Sequence, residues 1–255
     1  MVTWNPKQYL KFADERTQGA IDLASKIRID SPGTVIDIGC GPGNSTRVLR
    51  ARWPNARIVG LDSSPEMIAR ARLDFPEGQF LVADAAALPA EPRYDVIFSN
   101  AVLQWIPNYE ALLPRLFGAV APGGCLAAQV PANSDSPLHQ ALLSVAANAQ
   151  WSAFTGSCAE SLYYRTADDI YAILSGLGRI DLWETTYYHV MASHQDLLEW
   201  YRGTAMRPFL EKIPTDSARS QFEAEVLEVC RPHYPLEKDG KVLFPFKRIF
   251  FVVYR

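Results

Sequence analysis

The sequence predicts an α/β protein with a doubly wound, mostly parallel sheet of seven strands and a helical cap. Strand and helix segments alternate over the first half of the chain, and a glycine-rich turn follows the first buried strand. After about residue 131 this alternation gives way to helical segments and two late strands. Alternating strands and helices form βαβ units, whose helices cover both faces of a parallel sheet. The 255 residues, 48% of them hydrophobic, are enough to bury such a core.

The first half of the chain supplies five predicted strands and four predicted helices. The first helix begins at Asn5-Pro6, where proline fits the first turn, and continues to about residue 28. In a sheet of this kind, ligands bind at the carboxyl ends of the strands, where the strand order reverses. The strands are predicted at TVIDI (34–38), ARIVGLD (56–62), GQFLVAD (78–84), YDVIFSN (94–100) and GCLAAQVP (124–131). The later helices are predicted at NSTRVLRARW (44–53), SPEMIARARL (64–73) and YEALLPRLFGAV (109–120).

The second half of the chain is predicted to be largely helical. Residues 137–175 and 193–232 have helical patterns, with proline breaks in the second segment. The segments RIDLWETTYYHV (179–190) and VLFPFKRIFFVVYR (242–255) are predicted strands on either side of the second helical segment. A helical insertion between two late strands would cover the edge of the sheet at which ligands bind.

No linker of distinct composition divides the chain, so we predict a single domain over residues 1–255. Within it, residues 1–131 form the predicted cofactor-binding half. The predicted cap consists of two segments over the active site, at about 132–178 and 191–240.

Composition and charge exclude several classes of protein. The net charge is −3 with acids and bases interspersed, which argues against binding to nucleic acid or an anionic membrane. The four cysteines form no C-x-x-C pair, which argues against a zinc site and fits a reducing cytosol. The N-terminal segment is too polar for a signal peptide, and the longest apolar run is interrupted by Pro, Arg and Gly. We therefore expect a cytoplasmic protein with a small-molecule substrate, no metal, and no inferred nucleic-acid, membrane or protein partner.

The glycine turn indicates what kind of ligand is bound. Gly39, Gly41 and Gly43 have G-x-G-x-G spacing, whereas the dinucleotide fingerprint is G-x-G-x-x-G. A pyrophosphate favours a turn without a nearby carboxylate, but Asp37 lies two residues before Gly39 and the turn contains no Lys. The turn therefore disfavours a nucleotide oxidoreductase. It favours a ligand with positive charge near Asp37, such as S-adenosylmethionine with its ammonium and sulfonium groups.

Two further acids, Asp62 and Asp84, close the second and third strands. An acid twenty or so residues beyond the glycines suits a ribose diol, which donates two hydrogen bonds to one carboxylate. Asp84 is placed to accept from an adenine amino group, with the backbone N–H of Ala85 beside the ring. The alternative for each single acid is a solvated turn or a helix cap. Taken together, the acids indicate a ligand that contains adenosine.

The chain resembles class I S-adenosylmethionine-dependent methyltransferases, which have a Rossmann-like fold. The resemblance lies in VIDIGCGPG, IVGLDSS, FLVADA, YDVIFSNAVLQW and APGGCLAAQVP, in this order. It implies that Gly39–Gly43 approaches the methionine part of the cofactor and that Ser99–Gln104 closes on the methyl donor. Tyr9 would cover the cofactor, or else be an ordinary aromatic residue of an amphipathic helix. The predicted cofactor-binding residues are Tyr9, Asp37, Gly39, Gly41, Gly43, Asn44, Asp62, Ser63, Asp84, Ala85 and Asn100.

The acceptor of the methyl group must be sought in the second half of the chain. Motifs for methylating nucleic-acid bases, such as N-P-P-Y, are absent, and no basic stripe supports RNA or DNA binding. A small molecule or a carrier-bound group remains. The predicted cap holds several Arg, His and Tyr residues, which bind carboxylates or else are solvated or packed. Pro208 predicts extended backbone at Arg207.

The likeness extends over nearly the whole chain to the trans-aconitate 2-methyltransferase family. It lies in WNPKQYLKFADER, GCGPGNST, LDSSPEMI, LQWIPN, TTYYHVMASHQDLLEW, GTAMRPFL and YPLEKDG, and is weakest over residues 150–166. It implies that a carboxylate of trans-aconitate, already ionised at pH 7, is the nucleophile, so that no catalytic base is obligatory. The predicted substrate-positioning residues are Arg207, Arg248, His189, Tyr188, Gln104 and Trp105.

Two other functions stay open at this point. One is a methyltransferase that acts on another small or carrier-bound carboxylic acid. The other is a non-catalytic protein that binds S-adenosylmethionine.

Overall fold

The computed structural model describes residues 12–89, 91 and 93–255. Their strands form a seven-stranded sheet with flanking helices, which confirms the predicted fold class. The strands are β1 (Thr34–Ile38), β2 (Arg57–Asp62), β3 (Gln79–Val82), β4 (Tyr94–Asn100), β5 (Val120–Pro131), β6 (Arg179–Met191) and β7 (Val242–Tyr254). Their order in the sheet is β3-β2-β1-β4-β5-β7-β6.

The strand order reverses on either side of β1. This strand pairs in parallel with β2 and with β4, so that Asp37 lies opposite Gly60 and Phe98. The chain proceeds from β1 through β2 to β3 on one side, and through β4 to β5 on the other. β7 then runs antiparallel to β5. Such a reversal opens a crevice outside the carboxyl ends of β1 and β4, where α/β sheets bind their ligands.

The helices begin where the sequence supplies capping side chains. Ser64 accepts a hydrogen bond from the backbone N–H of Met67, and Thr166 accepts one from that of Asp169. The predicted helix start at Asn5-Pro6 lies outside the described residues. The α-helices are α1 (Ala13–Lys26), α2 (Asn44–Arg52), α3 (Pro65–Asp74), α4 (Tyr109–Gly118), α5 (Pro137–Ala146), α6 (Ala149–Thr155), α7 (Ala167–Leu174), α8 (His194–Arg202), α9 (Arg207–Lys212) and α10 (Asp216–Cys230). In the described part of the chain, no helix is long and apolar enough to cross a membrane.

The chain divides into two compact units. Of the described residues, the sheet unit contains those up to Pro131 together with Arg165–Thr185 and Arg248–Arg255. The smaller unit contains Ala132–Tyr164 and Thr186–Lys247. The predicted cap segments overlap the smaller unit, although α7 belongs to the sheet unit. The single domain and the cap over the active site remain predictions.

Each unit has its own buried interior. In the sheet unit, β1 is buried from Val35 to Ile38 and β4 from Val96 to Ser99, as in a parallel sheet covered on both faces. In the smaller unit the interior is rich in aromatic rings. The ring centroids of Trp200 and Phe246, for example, lie 5.3 Å apart.

Candidate active site

The glycine turn after β1 has a backbone that only glycine adopts without strain. Gly39, Gly41 and Gly43 have φ angles of 66°, 54° and 92°. A Cβ atom on Gly39 would lie 2.1 Å from a methyl carbon of Val102, so the chain after β4 packs directly against the turn. The backbone N–H groups of Gly39 and Cys40 both donate to the carbonyl of Leu61, at 2.7 and 3.0 Å. The turn is thus fixed between the carboxyl ends of β1, β2 and β4.

Asp37 is buried beneath this turn. Its Oδ2 accepts hydrogen bonds from the hydroxyls of Ser45 and Thr46, at 2.7 and 2.6 Å, in the first turn of α2. Burial raises the pKa of Asp37 well above its usual range, to about 7. Its Oδ1 is also buried and has no hydrogen-bond partner among the described residues. A bound cation would favour the ionised carboxylate, whereas a phosphate would meet repulsion here.

Asp62 connects the glycine turn to the next helix. Its Oδ2 accepts from the backbone N–H of Gly41 at 2.9 Å, and its Oδ1 accepts from that of Ser64 at 2.8 Å. Burial raises the pKa of Asp62. Each carboxylate oxygen has a second lone pair, so both can still accept from a diol. The neighbouring Ser63, also predicted to bind the cofactor, is exposed.

The predicted adenine-binding residues follow β3. Asp84 is exposed, and its Oδ1 accepts from the backbone N–H of Ala86 at 2.8 Å. Ala85 is buried, and Arg115 of α4 donates to its carbonyl oxygen at 3.3 Å. This segment is therefore fixed at both ends by hydrogen bonds within the sheet unit.

A small cavity opens beside the glycine turn. The predicted residues Asn44 and Asn100 line it, together with two residues of α1, Arg16 and Thr17, that the sequence analysis missed. Asn44 donates to the Thr17 hydroxyl at 3.3 Å, and Asn100 donates to the Arg16 carbonyl at 3.5 Å. Arg16 is only 7% exposed, so a cationic group is buried at the edge of the cavity. Tyr9 lies outside the described residues.

The segment after β4 carries two of the predicted substrate-positioning residues. Gln104 is buried and donates from Nε2 to the carbonyl of Ala101 at 2.8 Å. Its Oε1 has no partner within the described part of the chain. Trp105 is half-buried in the same short 3₁₀ turn. Ala101 itself has a φ of 59°, a strained value for alanine that is typical of functional turns.

Arg248 lies in β7 within the sheet unit and is 2% exposed. Its Nη1 donates to Oε1 of Gln129 in β5 at 2.9 Å. The sequence analysis did not select Gln129. The overlooked signal is a glutamine within the otherwise apolar strand segment CLAAQVP.

The remaining predicted residues lie in the smaller unit. His189 is buried against aromatic rings, with its ring centroid 4.8 Å from that of Trp200. Tyr188, the preceding residue of β6, is 63% exposed. Consecutive residues of a strand point to opposite faces, so one face of β6 does not present both side chains.

Arg207 does not have the extended backbone that Pro208 predicts. It is the first residue of α9, and Pro208 occupies the first turn, where a missing N–H costs no helical hydrogen bond. The prediction of extended backbone at this residue is therefore wrong. Its Nε lies 3.7 Å from Oε1 of Glu211, and burial lowers the pKa of Arg207 to about 10.

Comparison with known proteins identifies the family. Residues 9–178 match a family described as "Methyltransferase domain". A relative named trans-aconitate 2-methyltransferase from Methylobacterium nodulans is 45% identical, over 100% of this chain and 99% of its own. Relatives of the same name from Azoarcus sp. and Escherichia coli O157:H7 are 43% and 42% identical, with coverage of at least 99% of both chains.

Solved structures share the fold at low identity. The YcgJ protein from Bacillus subtilis is 14% identical with a TM-score of 0.60, covering 93% of this chain and 98% of that one. Phosphoethanolamine N-methyltransferase 2 from Haemonchus contortus is 16% identical with a TM-score of 0.56, covering 92% of this chain and 52% of that one. The full-length relatives confirm both resemblances noted in the sequence. The chain therefore belongs to the methyltransferase-domain family and, within it, to the family of the trans-aconitate 2-methyltransferases.

Proposed function

We propose that this protein transfers the methyl group of S-adenosylmethionine to a carboxylate of trans-aconitate, giving a monomethyl ester and S-adenosylhomocysteine. One observation carries the proposal: relatives of that name are 39–45% identical over 98% or more of both chains. The similarity thus includes residues beyond the methyltransferase-domain match, which ends at residue 178. Those residues contain most of the smaller unit.

The sheet unit supplies the groups that this cofactor needs. We assign the cofactor ammonium to Asp37, whose free Oδ1 faces no donor among the described residues. Arg16, buried at the cavity edge, is a suitable counter-charge for the cofactor carboxylate. Asp62 would accept from the ribose hydroxyls, and Asp84 with Ala85 would bind the adenine. The other cofactor residues in this proposal are Gly39, Gly41, Gly43, Asn44, Ser63, Asn100 and Tyr9.

The reaction requires positioning more than proton transfer. A carboxylate oxygen attacks the methyl carbon, the O–CH₃ bond forms as the S–CH₃ bond breaks, and the electron pair stays on sulfur. No proton moves, because the carboxylate is already ionised near neutral pH. An anion and a sulfonium both lose charge in this step, so a dry and well-aligned site accelerates it.

The acceptor is a polyanion, whereas the chain carries a net charge of −3. Local cationic groups must therefore gather it. We propose the two arginines selected from the sequence, Arg248 and Arg207, for this role, since guanidinium groups bind carboxylates bidentately. The further proposed substrate-positioning residues are His189, Tyr188, Gln104 and Trp105.

We also propose a cytoplasmic location. The four cysteines of the chain are all buried and free, which fits a reducing compartment.

The test is an assay with methyl-labelled S-adenosylmethionine and trans-aconitate, citrate or cis-aconitate as acceptor. We expect base-labile label in the product, with the highest kcat/KM for trans-aconitate. Cofactor binding is measured in parallel by calorimetry. Binding of S-adenosylmethionine without formation of an ester of any acid would support the non-catalytic alternative. An ester formed only with another acid would identify that acid, and not trans-aconitate, as the acceptor.

A further inference from the structure

Three polar side chains of the sheet unit converge on Gly19 of α1. A Cβ atom on Gly19 would lie 3.2 Å from Gln129 Oε1, 3.3 Å from Asn100 Oδ1 and 3.4 Å from Arg248 Nη1. Gln129 and Arg248 are 0% and 2% exposed. Asn100 also lines the cavity beside the glycine turn. A buried guanidinium and two amides thus meet next to the proposed cofactor cavity.

The orientation of the Gln129 amide follows from its partner. Arginine only donates hydrogen bonds, so the atom that receives the 2.9 Å bond from Arg248 must be the amide oxygen. The Gln129 NH₂ group therefore points away from that bond. It is buried and has no hydrogen-bond acceptor among the described residues. An unsatisfied buried amide is costly, which suggests that an acceptor group is supplied from outside the chain.

The neutral side chain of Gln129 is equally informative. Gln129 contacts the Arg248 guanidinium through a carbonyl oxygen and leaves its amide NH₂ group as an unsatisfied donor. A glutamate at this position would make the same contact, but it would present a negatively charged oxygen in place of that donor. The glutamine therefore offers a hydrogen-bond donor to an anion that a glutamate would repel.

We propose that Gln129 is an acceptor-binding residue whose Nε2 donates to one carboxylate of the acceptor, next to the Arg248 guanidinium. This inference rests on the proposed function. The carboxylate bound here is a non-reacting one, because donors that hold a carboxylate withdraw electron density from its oxygens and weaken them as nucleophiles. A side chain at Gly19 would press on Gln129 Oε1 and Asn100 Oδ1, which would have to shift by a few tenths of an ångström.

The main test is Gln129→Glu, which keeps the size and the contact to Arg248 but replaces the amide donor with a negatively charged oxygen. We expect the KM for trans-aconitate to rise roughly 30-fold or more, because two carboxylates would then meet in a buried site. The dissociation constant of S-adenosylhomocysteine should not change. The control is Gln140→Glu, which adds the same charge at an exposed position of the smaller unit.

A substrate series separates binding from structure. Dicarboxylates that each lack one carboxylate of trans-aconitate, such as mesaconate, are compared in the wild-type protein and in Gln129→Glu. The analogue that lacks the bound carboxylate should be a poor substrate of the wild type and insensitive to the substitution. If Gln129 were purely structural, all analogues would be affected alike, and that result would overturn the inference.

A second variant reaches the same groups from α1, should Gln129→Glu fail to fold. Gly19→Ala places a methyl group against Gln129, Asn100 and Arg248 and should raise the KM several-fold. Gly118→Ala is its matched control, since a Cβ atom there meets no other atom within 4 Å. An unchanged KM in both the Gln129 and Gly19 variants, with an active wild type, refutes this inference alone. An inactive wild type refutes the proposed function instead.

Discussion

Two arginines, one in each unit, donate to different kinds of acceptor, one to carboxylates and the other to an amide. Arg202 of the smaller unit donates from Nη2 to Glu223 at 2.6 Å, from Nε to the other oxygen of Glu223, and from Nη1 to Glu199. Arg248 of the sheet unit instead donates from Nη1 to the neutral amide of Gln129. The Glu223 side chain is 7% exposed and that of Arg202 is 33% exposed, so their pairing is a half-buried ion pair that joins α8 to α10.

The two sets of hydrogen bonds indicate different roles for the two guanidinium groups. A guanidinium paired with two carboxylates has its charge cancelled and its donors occupied, which suits a structural role within one unit. The contact between Arg248 and Gln129 adds no negative charge and leaves the Gln129 amide donor unsatisfied, which suits the binding of an anion. The same side chain therefore serves stability in one unit and, by our proposal, recognition in the other.

The largest effect on stability is expected from Arg202→Met. The substitution leaves Glu223 buried without its bidentate partner, so the free energy of unfolding should fall by about 3–5 kcal/mol. The KM for trans-aconitate should stay the same. Thermal unfolding and steady-state kinetics measure both quantities. Arg231→Met, which removes an exposed pair with Glu228, is the control and should cost about 1 kcal/mol or less. A raised KM with unchanged stability would remove the contrast between the two arginines.

A smaller loss of stability is expected in the glycine turn, which is built from backbone rather than paired charges. Gly39→Ala combines a positive φ with overlap of Val102 and should destabilise the protein by about 2–4 kcal/mol. Gly41→Ala has a similar φ but no atom within 4 Å of its Cβ position, so about 1–2 kcal/mol is expected. Chemical denaturation without cofactor measures both. Equal losses of stability in the two variants would mean that the Val102 side chain moves aside at little energetic cost.

The smallest effect concerns Asp37, whose charge is set by pH. Its pKa is about 7 in the folded protein and about 4 when unfolded, so between these values only the unfolded state releases its proton. The contribution of Asp37 to stability therefore falls as pH rises through this window. Asp37→Asn should remove that fall and raise the melting temperature above pH 7 by a few degrees.

The same variant tests the proposed ammonium contact. Cofactor affinity of the wild type should increase from pH 6 to pH 8 as Asp37 ionises, and Asp37→Asn should bind about tenfold more weakly at pH 8. Calorimetry at several pH values measures this. An identical pH dependence in the variant would assign the titration to another group.

Local patterns were sufficient to predict the sheet. The alternation of apolar strands and amphipathic helices yielded seven strands close to the observed ones, because period and turn chemistry are encoded within a few residues. The position of Asp37 beside the glycine turn was likewise readable from its spacing to the glycines. Arg16 and Gln129 were missed because the feature that marks each of them is burial beside residues that are distant in the chain. Arg207 was assigned the wrong backbone because a proline tolerates both extended structure and the first turn of a helix.

The sequence by itself determined the order of strands and helices, the glycine turn and the acids at the strand ends. These depend on short-range periodicity and on which residues tolerate a positive φ. Only the tertiary structure decided that the pKa of Asp37 is raised, that Arg16 borders a cavity and that Gln129 orients Arg248. Burial and the partner across the sheet set these properties, and neither is a local feature of the chain.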